Sequence, residues 1–378
     1  MKSQLKNLGR SIAKNLVNIP GWHTDRKIVV IESDDWGSIR IPSKEVLLKL
    51  KSEGIDVAKN PINMFDNMAS ENDFEAIFEV LERYIDKNNN HPIITTNFIL
   101  ANPDFEKIKA SQYTQYHYEI FTETYEHYNS HDRSFELIKE GISNKLIWPQ
   151  FHGREHVNVS KWMNLLKAGE KDISFAYKLG TFGIEVSNQN SKRSNLMAAL
   201  DYESEAEIED LKNVLIDGIS LFKEVFGFSP KSFIAPCFVW DDYNEDTLHQ
   251  MGVEYIQGVH SQFKPLVYKN KYKTKYHYLG QKNKNGQIYL VRNCYFEPSS
   301  NHNFDWVNSC LKDIESAFFW KKPAIISTHR FNFIGSLSEN NRTENLNYLD
   351  RLLKQILKKW PDVEFMTSDQ LGDLIKYN

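Results

Sequence analysis

Cysteine is nearly absent. Cys237, Cys294 and Cys310 are the only three in 378 residues. That excludes a disulfide framework, and their spacing is not that of a zinc ribbon. Long apolar runs are missing as well, and no stretch approaches the ~20 apolar residues that span a bilayer. The first segment, Met1 to Ile19, is interrupted by Lys2, Lys6, Arg10 and Lys14. It therefore lacks the unbroken apolar centre of a secretory leader, and a cytoplasmic protein without a transmembrane segment is expected. Charge of one sign is not in excess. The 46 basic and 50 acidic residues leave a formal charge of -4, which gives no reason to expect nucleic acid or an anionic membrane as partner. Internal repeats and low-complexity tracts are also absent.

What is present suits a large folded core. Hydrophobic residues make up 41% and charged residues 25%, a balance that excludes wholesale disorder. The length allows two or three average domains, or one large α/β barrel with insertions. Leu5, Leu8, Ile12 and Leu16 fall at helical spacing, so residues 1–25 are expected to form an amphipathic helix docked on the protein's own core. The alternative for that face is a membrane surface.

Short β-branched or aromatic runs bounded by turn residues predict strands at Lys27–Ile31, Pro92–Ile99, Leu146–Trp148, Ser232–Ile234, Glu254–Ile256, Ile288–Val291, Ala324–Ser327 and Val363–Met366. Helical patterns separate many of them. Ser204 to Glu207 reads as a capping box before a long helix with apolar positions at Ile208, Leu211, Leu215, Ile219, Phe222 and Phe226, closed by Gly227. A second strong pattern runs through Leu346, Leu349, Leu353 and Ile356 to Trp360 and ends at Pro361. Others fall at 71–87, 133–142, 160–168, 243–251 and 306–319. Strands alternating with helices predict a mainly parallel sheet, open or closed into a barrel, with its chemistry at the C-terminal strand ends. The polar regions 54–70, 100–130, 170–203 and 258–286 read as insertions around the mouth of one domain over residues 26–378.

Four strands run directly into residues of catalytic type. The first ends in Asp34-Asp35-Trp36-Gly37. Adjacent carboxylates at a buried strand end repel unless a cation relieves them, although Asp also starts turns and caps helices. The second leads into His152-Gly-Arg-Glu-His156. An i, i+4 pair shares one face of a helical turn and reaches one metal ion. The spacing alone is weak, because His127 and His131 repeat it in a polar stretch read as solvated loop. The third strand gives Ala235-Pro236-Cys237 and then Trp240-Asp241-Asp242. Cys237 is open to three roles: metal ligand, nucleophile or small buried residue. Trp240 could stack on a sugar or fill the core. The fourth ends in Thr328-His329-Arg330, a polar pair that strand packing does not require. Jointly, one carboxylate and two histidines can form a zinc-type shell with a position open for water. A second carboxylate and a further histidine can act as base and acid on an amide or ester.

In this order the motifs resemble the polysaccharide deacetylase family, the NodB-homology group of carbohydrate esterases. Ser33-Asp34-Asp35-Trp36-Gly37 is similar to its Thr-Phe-Asp-Asp-Gly motif, and His152 to His156 to its His-x-x-x-His motif. Ala235-Pro236-Cys237 stands where it has Arg-x-Pro, and Ser327-Thr328-His329 resembles its closing strand-end histidine. The resemblance implies a distorted (β/α)7 barrel and a divalent metal, usually zinc. It implies Asp35, His152 and His156 as metal ligands, Asp34 as general base and His329 as general acid. Trp36, Pro236, Trp240 and Arg330 are the expected substrate contacts. The implied reaction removes acetyl groups from N- or O-acetylated sugars, in a polysaccharide or a glycan-biosynthesis intermediate, with metal-bound water as nucleophile. The family's base-orienting arginine is missing, because Ala235 occupies its place; Arg330, Arg154 and Arg40 are candidates to replace it. The family's Asp-Trp element has a counterpart in Asp305-Trp306, which also suits a helix start. Two other readings remain open. One is a metal-independent glycoside or C–N hydrolase using Asp34, Glu155, Asp241 or Asp242 as paired carboxylates. The other is a carbohydrate-binding protein without turnover.

Overall fold

The computed structural model describes residue 15 and residues 17–55, 57, 60–128, 133–184, 193 and 195–378. All eight runs read as strands are strands. In chain order the strands are β1 (Ile28–Trp36), β2 (Ile94–Ile99), β3 (Ala101–Pro103), β4 (Tyr118–Ile120), β5 (Ile147–Gly153), β6 (Ser232–Ile234), β7 (Tyr255–Gly258), β8 (Ser261–Leu266), β9 (Lys271–Tyr276), β10 (Ile288–Val291), β11 (Cys294–Tyr295), β12 (Ala324–His329) and β13 (Glu364–Met366).

The main sheet is parallel throughout and runs β10-β7-β6-β5-β2-β1-β12-β11, with β13 paired to the start of β1. β1 is central, and Ile28 to Ile31 are at most 2% exposed, so its apolar run is continuous rather than alternating. β10 and β11 belong to one stretch of chain, broken only at Arg292 and Asn293. β10 pairs with β7 and β11 with β12, so the path returns to its beginning. The result is a distorted barrel with β1, β2, β5, β6, β7, the joined β10–β11 and β12 as its staves. The break is held on both sides. The Arg292 N–H donates to the Gly258 carbonyl at 2.8 Å, and the Asn293 N–H to the Ile325 carbonyl at 3.2 Å.

Helices surround the sheet. Ile208–Phe226 ends at Gly227, whose φ of 78° is the left-handed stop its sequence predicts. It buries Leu215, Ile219 and Phe222 beside Phe151 and Phe233 of the barrel. Trp306–Phe319 and Glu339–Lys359 cover the β12 side. Asp305 is the N-cap of the former, its carboxylate accepting from the Asn308 N–H, so the Asp305-Trp306 pair starts a helix.

The face of the expected N-terminal helix, Leu5, Leu8, Ile12 and Leu16, lies outside the described residues, as does His131. The end that is described docks on the barrel. Asn15 accepts from Trp320 Nε1 at 2.7 Å, Asn18 accepts from Asn293 at 2.8 Å, and Val17 packs on the core. Two insertions are more ordered than their polarity suggests. The 100–130 region contains the antiparallel pair β3–β4 and the helices Phe105–Ala110 and Phe121–Tyr128. The 258–286 region is built on the β8–β9 hairpin.

Candidate active site

β1 delivers both aspartates to the barrel mouth because it is bulged. On a regular strand neighbouring side chains face opposite ways. Here the pairing of β1 with β2 shifts between Ser33 and Trp36, and Asp35 takes a φ of +71°. Such a bulge re-aims side chains at the cost of local strain. Gly37 follows at φ +82°, where a Cβ would lie 2.2 Å from the Ile99 carbonyl oxygen.

Three donors converge on this point. His152 Nε2 and His156 Nε2 each lie 3.1 Å from Asp35 Oδ1. One ligand atom from each of the three residues lies within 4.8 Å of the others. His152 is on β5 and its Nδ1 bonds the Ile234 carbonyl at 2.9 Å. That contact makes Nδ1 the protonated nitrogen and turns the Nε2 lone pair to the centre. His156 lies in the loop after β5, so the pair meets across a strand–loop corner and not on a helical turn. Burial pushes the His156 imidazole down to about 4. Burial alone would raise Asp35, but Arg40 and the two imidazoles hold its carboxyl well below the usual range. A buried carboxylate and two buried imidazoles with a cavity beside them are a donor set that could hold a divalent metal ion.

Asp34 is held from the opposite side. Arg292 forks onto it, with Nη1 to Oδ2 and Nη2 to Oδ1 both at 2.7 Å. Its Nε reaches Glu32 at 2.5 Å, and Asn97 donates to Asp34 Oδ1 at 2.8 Å. Burial opposes ionisation of Asp34, yet Arg292 outweighs it and brings the carboxyl down to about 2. The arginine that orients Asp34 is therefore Arg292, at the break in the closing stave. The three candidates are engaged elsewhere. Arg40 bonds Asp35 Oδ2 at 2.9 Å and lies 3.0 Å from Asp66. Arg154 pairs with Glu155 and Asp217. Arg330 pairs with Asp66 and donates to the Ser38 carbonyl.

His329, at the end of β12, sits with Nε2 3.9 Å from Asp34 Oδ2. Its Nδ1 is 2.7 Å from Glu297 Oε1, and Asn332 donates to the other Glu297 oxygen at 2.7 Å. Desolvation would lower the imidazole, but Glu297 and then the aspartates raise it to about 9.

These groups border a cavity of about 260 Å³. Ile62, Ile184, Met197 and Phe238 give it apolar wall, and Asn63 and Asn195 contribute amides. Cys237 also lines it, but burial holds its thiol at about 11, so it stays protonated, and it is not part of the ligand cluster. The four expected substrate contacts are elsewhere. Trp36 is 1% exposed, packs on Phe74 and Phe98, and donates to Ser33. Trp240 is equally buried, with its N–H on Glu245. Arg330 is fully buried in its ion pair, and Pro236 is buried. Neighbours of a mouth residue in the chain can still face the core, as these four do. Glu155, Asp241 and Asp242 do not border the cavity; the first is bound to Arg154, the other two to Lys264. His127 is 64% exposed and pairs with Glu119. Arg292 and Glu297 were missed from the sequence. Arg292 directly follows the apolar run Ile288–Val291, so the strand-end rule could have found it; Glu297 follows no recognised strand.

No family model matches this chain, and no curated protein matches it. Solved structures do. The chain is similar to a 4-alpha-glucanotransferase from Thermococcus litoralis at 9% identity and a TM-score of 0.46, covering 93% of this chain and 41% of that one. It is similar to a probable polysaccharide deacetylase from Pseudomonas aeruginosa PAO1 at 10% identity and a TM-score of 0.46, covering 92% and 91%. A Puue allantoinase gives 10% identity, a TM-score of 0.46, and coverage of 94% and 93%. Thus the chain spans less than half of the glucanotransferase and nearly all of the other two. Polysaccharide and peptidoglycan deacetylases recur among the similar structures.

Proposed function

We propose that this chain is a divalent-metal hydrolase that removes acetyl groups from N- or O-acetylated sugars. One observation carries the reading: a three-donor cluster, an arginine-held carboxylate and a carboxylate-held imidazole border one cavity. Asp35, His152 and His156 would hold the ion, with zinc favoured by a donor set of two imidazoles and one carboxylate. A divalent ion there supplies Lewis-acid polarisation of an acyl carbonyl and activation of water. Asp34, ionised at neutral pH, accepts the proton of the attacking water. Arg292 fixes the plane of that carboxylate, so its free lone pairs keep one direction. His329 is protonated below about 9 and donates to the departing amine or alkoxide. An amide needs this proton, because an amine anion is a very poor leaving group. The apolar wall and the amides suit a ring with one apolar face and hydroxyl edges.

The test is acetate release from acetylated oligosaccharides, with elemental analysis of the same protein. Release should require bound metal and stop on chelation. Full activity of metal-free protein, or none from metal-loaded protein on any acetylated sugar, would overturn the reading.

A further inference from the structure

The segment from Gly258 to Gly286 contains seven lysines and not one aspartate or glutamate, in a chain whose net charge is -4. It forms the β8–β9 hairpin. In register, Lys264 faces Lys273 directly, and like charges placed opposite each other across two strands destabilise the pair. Lys264 is relieved by Asp241 and Asp242, and Lys275 by Asp242. Lys269 and Lys271 at the tip, and Lys273 opposite Lys264, are exposed and have no acidic partner among the described residues. Tyrosines alternate with them. Tyr268 is 79% and Tyr276 69% exposed, far more than a tyrosine used for packing.

The hairpin also stands against the site. Phe263 bridges to Val239, Gln262 donates to the Trp240 carbonyl at 2.8 Å, and Phe238 just before them lines the cavity. From the other strand, the Tyr272 hydroxyl donates to Asp201 at 2.8 Å, near the cavity-lining Asn195 and Met197. Lysines on a two-stranded edge also deter aggregation. That role does not need three uncompensated charges along one hairpin, two of them at its tip beside the exposed Tyr268 ring.

We infer that the hairpin tip is a binding arm for an anionic carbohydrate polymer, one bearing carboxylate or phosphate groups along its sugars. Lysines attract the charge over about a Debye length, roughly 10 Å at 0.1 M salt, and the tyrosine rings offer faces to the sugars. The inference rests on the proposed hydrolase reading only in making the bound polymer the substrate; binding itself does not depend on turnover.

The experiment uses the full metal-loaded chain and a triple variant, Lys269→Glu, Lys271→Glu and Lys273→Glu, with polygalacturonate as the acidic polymer and dextran as the neutral one. The parent should bind polygalacturonate in preference to dextran and lose that preference in high salt. The variant should bind polygalacturonate about tenfold or more weakly. It should release acetate from a short uncharged acetylated oligosaccharide as the parent does. The salt dependence of the parent needs no variant, so the test survives a variant that folds poorly. Equal binding of the two polymers, equal binding by parent and variant, or tighter binding of single-stranded RNA would each overturn the inference. Altered polymer binding without acetate release from any substrate would leave the arm standing and remove the hydrolase reading alone.

Discussion

The two sides of the cavity hold their charges differently. On the base side, Asp34, Glu32 and Arg292 are sealed in the barrel, with side chains no more than 4% exposed. On the acid side, His329 is 25% and Glu297 15% exposed. Both sides pair a catalytic candidate with an opposite charge, and both favour the charged form. The sealed side fixes geometry, because a bidentate guanidinium–carboxylate fork has one arrangement. The open side leaves the imidazole reachable by a leaving group while its partner keeps it protonated. In the proposed reaction, a rigid base and an accessible acid would follow from how deep each pair lies.

The most severe way to break this contrast is Arg292→Met. It leaves two buried carboxylates without their cation, and loss of one partner of a buried pair costs about 3–5 kcal/mol. Urea unfolding should show that loss, whereas Glu297→Gln should change stability at pH 7 by less. An equal loss in both would erase the difference between the sides.

Next in size is catalysis. Asp34→Asn should lower acetate release about 10²–10⁴-fold, with metal content unchanged, because Asp34 is not in the donor cluster. Loss of metal in this variant would mean that Asp34 is a ligand.

The acid side predicts a pH dependence. With its pKa raised from 6.5 to about 9, His329 contributes stability fully present below about 6.5 and lost as pH rises through about 9. Activity needing its proton should fall over the same limb. Glu297→Gln removes the main raising influence, so the high-pH limb should move down by about one unit or more. Rate profiles and urea midpoints between pH 6 and 10 would sharpen the point, and an unmoved limb would assign the acid to another group.

The smallest effect is a control. His127→Ala, on an exposed ring paired only with Glu119 and in no three-ligand cluster among the described residues, should change stability by less than about 0.5 kcal/mol and leave metal content as it was. Lost metal would make the second His-x-x-x-His pair a site.

The strands were legible because each is buried enough to be written as a short apolar run, from Ile28–Ile31 to Glu364–Met366. Helices such as Ile208–Phe226 carried both periodicity and caps. The β8–β9 hairpin was not read, although Lys271 to Tyr276 alternates strictly, because its alternation is of two polar-capable residue types rather than apolar with polar. Trp36 and Trp240 lie close in the chain to Asp35 and Pro236, yet both are only 1% exposed, because a neighbour in sequence need not face the mouth.

By itself the amino-acid order determined the staves of the barrel and the identities of Asp34, Asp35, His152, His156 and His329, since a strand end places its next residues at the mouth whatever surrounds it. Only the tertiary structure decided their partners. An arginine side chain is long enough to reach Asp34 from several strands, and which one does so depends on where the ring closes. Closure falls at Arg292, between a strand half paired to β7 and a half paired to β12. Glu297 likewise meets His329 only because β11 lies beside β12. Such contacts join residues more than thirty positions apart along the chain, and local pattern contains no term for them.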